Sequence, residues 1–331
     1  MQKQPRYPIQ KMSMQMFDLL GLPTERILRR AGMPSDFVQQ DPRGITAAQF
    51  YAVWDAIEEE AYGRDIPMRM ARALAKGPFA PALFAFSCSP NIAVGLERLA
   101  VFKPLVAPIR LGITQTKTEV KLDFATSDPA FVMPDIMIAF ELVYFLEICR
   151  NFTGVDIVPV GVEMPHLRVD QGDYDRFFGR RAADGGGPSL TLSREDAYRP
   201  LISENAELWA GFERELTKQL AEQKRNTPMA LRVRNALLEL LPAGQASVDA
   251  VCARLLTSRR SLQRHLSAEG ETFQNVLDAT RSDLSMVYLR RGDMSVEEIS
   301  YLLAYRDPNS FYRAFHSWTG LTPSQARLEE A

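Results

Sequence analysis

The chain has 331 residues, 46% hydrophobic and 24% charged, which at roughly 100–200 residues per domain is enough for two domains with real cores. A net formal charge of −2 gives no sign of a nucleic-acid or membrane partner. Three cysteines without a C-x-x-C spacing (Cys88, Cys149, Cys252) exclude a disulfide scaffold or zinc ribbon, and three scattered histidines (His166, His265, His316) exclude a histidine-based metal site.

Residues up to Gln10 hold no apolar stretch of signal-peptide type. Met14 to Arg30 reads as a helix with Met16, Leu19, Leu20, Ile27 and Leu28 on one face, stopped by Gly32 and Pro34. Thr46 is the expected cap of Ala47 to Ala61, with the stripe Phe50, Val53, Trp54 and Ile57, and Asn91 of a helix ending near Phe102. The period then changes: Ile109 to Ile113 and Glu119 to Phe124 alternate as half-buried strands do. Pro134 to Phe152 is apolar nearly all round and belongs at the centre of this domain. Its most apolar part, Ile136 to Cys149, carries Glu141 and Glu147 and is shorter than the ~20 residues a bilayer requires. Val158 to Met164 and Ser189 to Leu192 are further strand candidates, and Gly185-Gly186-Gly187-Pro188 reads as a surface turn. A helix from Glu204 to Gln223 carries Trp209, Phe212, Leu216 and Leu220. Lys224 to Pro228 breaks it, with Thr227 and Pro228 as cap and first residue of the next helix. Residues 1–225 are thus one mixed α+β domain and 226–331 an all-α domain.

In the second domain Ser247 precedes a short helix with Val248, Val251 and Leu255, and Ser258 opens another ended by Gly270. In that second helix Leu262 and Leu266 face inward, which leaves Arg259, Arg260, Gln263 and Arg264 outward. Two short helices joined by a tight turn, the second rich in Arg and Gln, are the pattern of a helix-turn-helix, because Arg pairs with guanine N7/O6 and Gln with adenine. Val251 to Leu266 holds four Arg and no acid, although Pro228 to Ala331 balances 12 Arg against 12 Asp and Glu. Ser258, Arg259, Arg260, Ser261, Gln263 and Arg264 are therefore candidate DNA contacts. A second unit follows. Ser295-Val296-Glu297-Glu298 is a capping box opening a helix with Val296, Ile299, Leu302 and Leu303. Asp307-Pro308 opens Asn309 to Trp318, with Phe311, Ala314, Phe315 and Trp318 as core and Asn309, Ser310, Tyr312, Arg313 and His316 as candidate contacts. The connector, Thr272 to Arg290, presents Phe273, Val276, Leu277, Leu284, Val287 and Tyr288 on one side. At ~1.5 Å per residue it spans roughly 28 Å, against ~34 Å between successive major-groove faces.

These residues resemble the AraC/XylS family of transcriptional regulators. The resemblance runs from about Met229 to Arg327, through Ser295 to Ser300, Tyr305 to Phe315, Thr319 to Ser324 and, in the first unit, Ser258 to Arg264. Ala304 stands where the family usually has Gly, and Ser300 where it usually has Ala. The first domain is similar to the non-barrel effector domain of one AraC subgroup, through Leu28-x-x-Ala31-Gly32, the Asp41-Pro42 turn and the Tyr174-x-x-Phe177-Phe178 cluster. The resemblance implies a one-component, cytoplasmic, non-enzymatic regulator without a cofactor. Its partners would be duplex DNA, RNA polymerase, a small-molecule effector and a second copy of the chain.

Three alternatives accompany that reading. Cys88, in Phe86-Ser87-Cys88-Ser89-Pro90, has the look of a nucleophile at a turn, but the only histidine of its domain is His166 and a small buried hydrophobe explains it better. An enzyme domain acting on small molecules, or control by a protein partner in place of an effector, are the other two. Glu141 on an otherwise apolar helix must find a partner: an arginine of its own domain, or a cationic ligand. The Trp209, Phe212, Leu216, Leu220 stripe is read either as a homodimer interface or as packing within its own domain. Finally, the second unit carries fewer bidentate donors than the first, so the first is expected to read sequence and the second to dock on phosphates.

Overall fold

In the computed structural model the described residues are 5–8, 16–18, 20–34, 37, 44–61, 65–76, 81–164, 171–185, 187–292 and 294–329. Leu19, the Asp41-Pro42 turn, His166 and Gly186 lie outside them. The chain divides into two compact units: residues 5–127 with 131–225, and residues 226–331 with 128–130.

The first unit opens with helices α1 (Thr24–Arg30), α2 (Ala47–Ala61), α3 (Ile66–Leu74), α4 (Pro81–Ser87) and α5 (Ile92–Phe102). The long helix expected from Met14 to Arg30 is instead broken: residues 16–18 are helical, Gly21 turns with φ +66°, and Pro23 starts α1. Two caps are made as the sequence predicts. Thr46 Oγ1 accepts from Gln49 N (3.3 Å) while Thr46 N donates to Gln49 Oε1 (3.0 Å), and Asn91 Oδ1 accepts from Val94 N (3.0 Å). Strands β1 (Ile109–Gln115) and β2 (Glu119–Thr126) pair antiparallel. Helix α6 (Asp135–Thr153), β3 (Gly161–Glu163), α7 (Gln171–Phe178), β4 (Ser189–Ser193) and α8 (Ala206–Asn226) follow. The four strands form one sheet in the order β1-β2-β4-β3, all neighbours antiparallel. Only Gly161–Glu163 of the expected 158–164 strand forms regular strand beside β4; Val160 N still donates to the Thr191 carbonyl (2.8 Å), and Val158 and Val160 are partly exposed.

Helix α6 is buried along most of its length, with Met137, Leu142, Val143, Phe145, Leu146 and Ile148 at the centre of the core. Tyr174 and Phe178 of α7 are also fully buried. Helix α8 continues to Asn226, past the break expected at Lys224, and Trp209 and Leu216 pack into a second apolar cluster with Ala82, Ala85, Cys88 and Phe102. The Arg98 guanidinium lies 4.2 Å from the Trp209 ring centroid. That part of the stripe is core of its own domain. Phe212, 41% exposed, packs against Phe84 with the ring centroids 4.2 Å apart and the planes tilted by 36°, and Leu208 is exposed beside it.

The second unit is helical: α9 (Met229–Leu240), α10 (Val248–Arg254), α11 (Arg259–Ala268), α12 (Phe273–Arg291), α13 (Val296–Leu302), α14 (Pro308–Thr319) and α15 (Pro323–Glu329). Its core joins Val233, Leu237, Val251, Leu262, Leu266, Val276, Leu277, Leu284, Ile299, Leu303, Phe311 and Phe315. Trp318 is only partly buried at the edge. Pro228, not Thr227, is the cap residue of α9 and provides no side-chain cap. The Glu269 carboxylate caps that helix instead, accepting from Met229 N (2.6 Å) and Ala230 N (2.9 Å). No single helix among the described residues is long and apolar enough to cross a membrane.

Candidate nucleic-acid interface

The first reading unit is α10 and α11. Ser247 Oγ accepts from Ala250 N (3.1 Å) and starts α10, and Ser258 Oγ accepts from Ser261 N (3.2 Å) and starts α11. Between them Leu256 takes a left-handed conformation, φ +51°, with its side chain 95% exposed. Leu262 and Leu266 bury one side of α11, which turns Arg259, Arg260, Gln263 and Arg264 outward, all exposed together with Ser258. Ser261 is half-buried, and its carbonyl accepts from His265 Nδ1 at 2.7 Å. The four arginines of this stretch are not equivalent. Arg254 pairs with Glu239 of α9 (2.7 Å), and Arg259 forks onto Asp249 of α10 through Nε and Nη2. Arg260 and Arg264 have no ion-pair partner among the described residues, so their guanidinium groups are free for a ligand.

The second unit, α13 and α14, repeats the plan. Ser295 and Glu298 make the capping box, and its hydrogen bonds hold the Glu298 carboxyl below the usual carboxylate range. The turn again contains a non-glycine residue in the left-handed region, Ala304 at φ +57°. Arg281 from the connector α12 secures that turn. Its Nε donates to the Leu303 carbonyl (2.9 Å) and its Nη2 to that of Ala304 (3.2 Å), while its guanidinium lies 4.2 Å from the Tyr305 ring centroid. Asp307 is occupied in capping α14, accepting from Ser310 N (2.9 Å) and Ser310 Oγ (2.7 Å); the Ser310 hydrogen bonds pull its carboxyl down. Arg313 Nη2 donates to Ser310 Oγ (3.2 Å), so that hydroxyl is engaged on both sides. Asn309, Arg313 and His316 are exposed. Tyr312 is half-buried against the core, 6.3 Å from the Phe311 ring, and less open than its helical position implies.

Sequence reasoning missed Asp249, Glu269 and Arg281, each of which acts across ten or more positions. For Glu141 it offers an arginine of the same domain or a cationic ligand, whereas the partner in the fold is a lysine. That carboxylate, 3% exposed, takes Lys103 Nζ at 2.9 and 2.8 Å on its two oxygens, and the ammonium lies 5.3 Å from the Phe145 ring centroid. The neighbouring Tyr144 hydroxyl is pushed far above its ordinary pKa, first by burial and then by the charge of Glu141. Cys88 is buried, and burial raises its thiol, the opposite of an activated nucleophile. An open cleft of about 650 Å³ lies between α3, α6 and α7, lined by Arg72, Glu147, Arg150, Asn151, Asp156 and Phe177. Its charges are already matched: Arg150 Nε donates to the Ile157 carbonyl (2.9 Å) and pairs with Asp156 (3.0 Å), and Arg72 lies 3.6 Å from Glu147.

Residues 21–201 match the family described as the arabinose-binding domain of AraC transcription regulator, N-terminal, and residues 251–329 match a helix-turn-helix domain family. The ornithine utilization regulator of Pseudomonas aeruginosa is 36% identical over 138 residues, 42% of this chain and 40% of that protein. The HTH-type transcriptional regulator VirS of Mycobacterium tuberculosis is 23% identical over 334 residues, covering 93% of this chain and 92% of VirS. The crystal structure of the transcriptional regulator CdpR from Pseudomonas aeruginosa aligns over 92% of this chain and 97% of its own, at 19% identity and a TM-score of 0.37.

Proposed function

Since this chain belongs to the AraC family of helix-turn-helix, DNA-binding transcription regulators, we propose that residues 226–331 read an operator while residues 1–225 sense a small-molecule effector and dimerise. The observation that carries the DNA contacts is the face of α11. There Arg260, Gln263 and Arg264 stand exposed on a helix capped at Ser258 and anchored by Leu262 and Leu266. A recognition helix uses residues of this kind near its N-terminus to pair with base edges, and Arg and Gln are the bidentate readers of guanine and adenine.

The second unit docks. With Ser310 engaged by Asp307 and Arg313, and Tyr312 half-buried, α14 offers Asn309, Arg313 and His316, which suit phosphate oxygens. Ser258 and Ser261 contribute hydroxyls at the start of α11, the first occupied in capping. In the sensing domain Glu141 is the proposed anchor of a cationic effector, which would take the place of Lys103 at the carboxylate. Dimerisation is assigned to the exposed Leu208 and Phe212 side of α8. Binding of effector would shift the dimer between arrangements that engage DNA differently, and the regulator would act in the cytoplasm through RNA polymerase.

The test is selection of the full-length chain on randomised duplexes. Two blocks of preferred bases about one helical turn apart are expected, with the greater information under the first unit. Equal information in both blocks, or more under the second, contradicts the assigned division. A thermal-shift screen of the chain and its Glu141→Gln variant against cationic metabolites tests the effector site. A shift present in both proteins argues against Glu141.

A further inference from the structure

We infer that Asp249 is a positioning residue: it holds the Arg259 guanidinium by one edge so that the other edge is presented to a guanine. This rests on the assignment of the α11 face to DNA and goes beyond it, because Asp249 lies on α10, the helix that does not read bases in that assignment.

The geometry is specific. Asp249 is the second residue of α10, after the cap Ser247, and Arg259 is the first residue of α11, after the cap Ser258. The tight turn at Leu256 brings the two helix starts together. Arg259 Nε donates to Asp249 Oδ1 and Nη2 to Oδ2, a bidentate fork. The carboxylate is itself in the first turn of a helix, where the helix dipole favours negative charge. A guanidinium has five N–H donors in a rigid plane. The fork uses two of them, along the Nε/Nη2 edge, and leaves the Nη1/Nη2 end with three. Two parallel N–H groups at that end match guanine O6 and N7. Both side chains are well exposed, 67% for Arg259 and 66% for Asp249, so the pair adds little to stability. What it fixes is direction. An unpaired Arg would search its rotamers before reaching a base, and that ordering cost reduces the discrimination obtained from the contact.

The competing role for Asp249 is a mask that neutralises Arg259 and weakens DNA binding. The two roles give opposite outcomes. Base preferences are measured by randomised-duplex selection with the full-length parent, Arg259→Ala, Asp249→Ala and the double variant, with circular dichroism to verify folding. Positioning requires that Arg259→Ala flatten one guanine column by roughly tenfold or more. Asp249→Ala must flatten the same column, and the double variant must be no worse there than Arg259→Ala. Affinity for non-specific duplex is expected to hold or rise in Asp249→Ala, since a negative charge is removed, a pattern that loss of folding does not produce. If Arg259→Ala changes a column and Asp249→Ala leaves it unchanged or sharper, Asp249 does not position Arg259 and this inference fails alone. If Arg259→Ala changes no column, the assignment of Arg259 to base readout fails and the inference with it.

Discussion

Lys103→Met should be one of the most damaging single changes in the sensing domain, while its combination with Glu141→Leu should be nearly harmless. The ammonium sits 2.8 and 2.9 Å from the two carboxylate oxygens, with side chains only 9% and 4% exposed. At an effective dielectric constant of ~20 the gross attraction is about 6 kcal/mol. Desolvation of both ions takes most of that back, so the intact pair contributes little net stability. Removing the lysine alone leaves a buried carboxylate without its cation, at a cost of about 3–5 kcal/mol. Replacing both with apolar side chains of similar volume removes the penalty together with the gain, within about 1 kcal/mol of the parent. Of the three tryptophans, Trp54 and Trp209 lie in the first unit and Trp318 in the second. Urea unfolding followed by tryptophan fluorescence in a Trp318→Phe background therefore reports on the sensing domain. A single variant as mild as the double, both below about 1 kcal/mol, would show that water reaches the pair and that the burial reasoning is wrong.

Further expectations concern the reading units and α8. Ser300 Oγ is fully buried without a hydrogen-bond partner among the described residues, so Ser300→Ala should stabilise the second unit by about 1 kcal/mol in denaturant unfolding; a loss of stability would show that the hydroxyl is satisfied. Leu256 is left-handed and almost wholly exposed, and Leu256→Gly should stabilise by about 1 kcal/mol through relief of strain, read in the same experiment. Phe212→Glu is expected to give folded monomers in sedimentation and Leu216→Glu, at a buried site, to lose the folded circular dichroism; a dimeric Phe212→Glu protein would move the interface elsewhere. The carboxyls of Glu298 and Asp307 are held below their ordinary range in the folded state, so their caps contribute fully above that range and lose their contribution as pH falls through the lowered folded values. Glu298→Gln with Asp307→Asn should therefore flatten the stability decline below about pH 4, and an unchanged slope would contradict the cap assignment.

Caps and apolar periodicity were legible because both are local. Asn91, Ser247, Ser258, Ser295 and Asp307 bond backbone groups three residues ahead, and a short motif contains donor and acceptor together. The faces of α11 and α14 followed from the spacing of Leu262 with Leu266 and Phe311 with Phe315. What sequence could not supply were pairings across the chain: Lys103 with Glu141, 38 positions apart, Glu269 with Met229, 40 apart, and Arg281 with Leu303, 22 apart. The α8 stripe illustrates the same limit. Its period identifies an apolar side but not what covers it, and the fold splits the stripe between a buried Trp209–Leu216 core and an exposed Phe212. Asp249 carries no distinctive sequence signal, because an acid in the first turn of a helix is common where the helix dipole favours negative charge.

The α11 face as the reader of sequence is tested most directly by the ratio of specific to non-specific affinity. Full-length parent and an Arg260→Ala/Gln263→Ala/Arg264→Ala variant are titrated by fluorescence anisotropy against the selected operator and a scrambled duplex, across a range of salt. The expected result is that the parent favours its operator by about 10³-fold or more. The variant, which retains Arg259, should lose most of that preference while keeping salt-dependent binding to both duplexes. A variant that still discriminates as the parent does would mean that sequence is read elsewhere on the molecule.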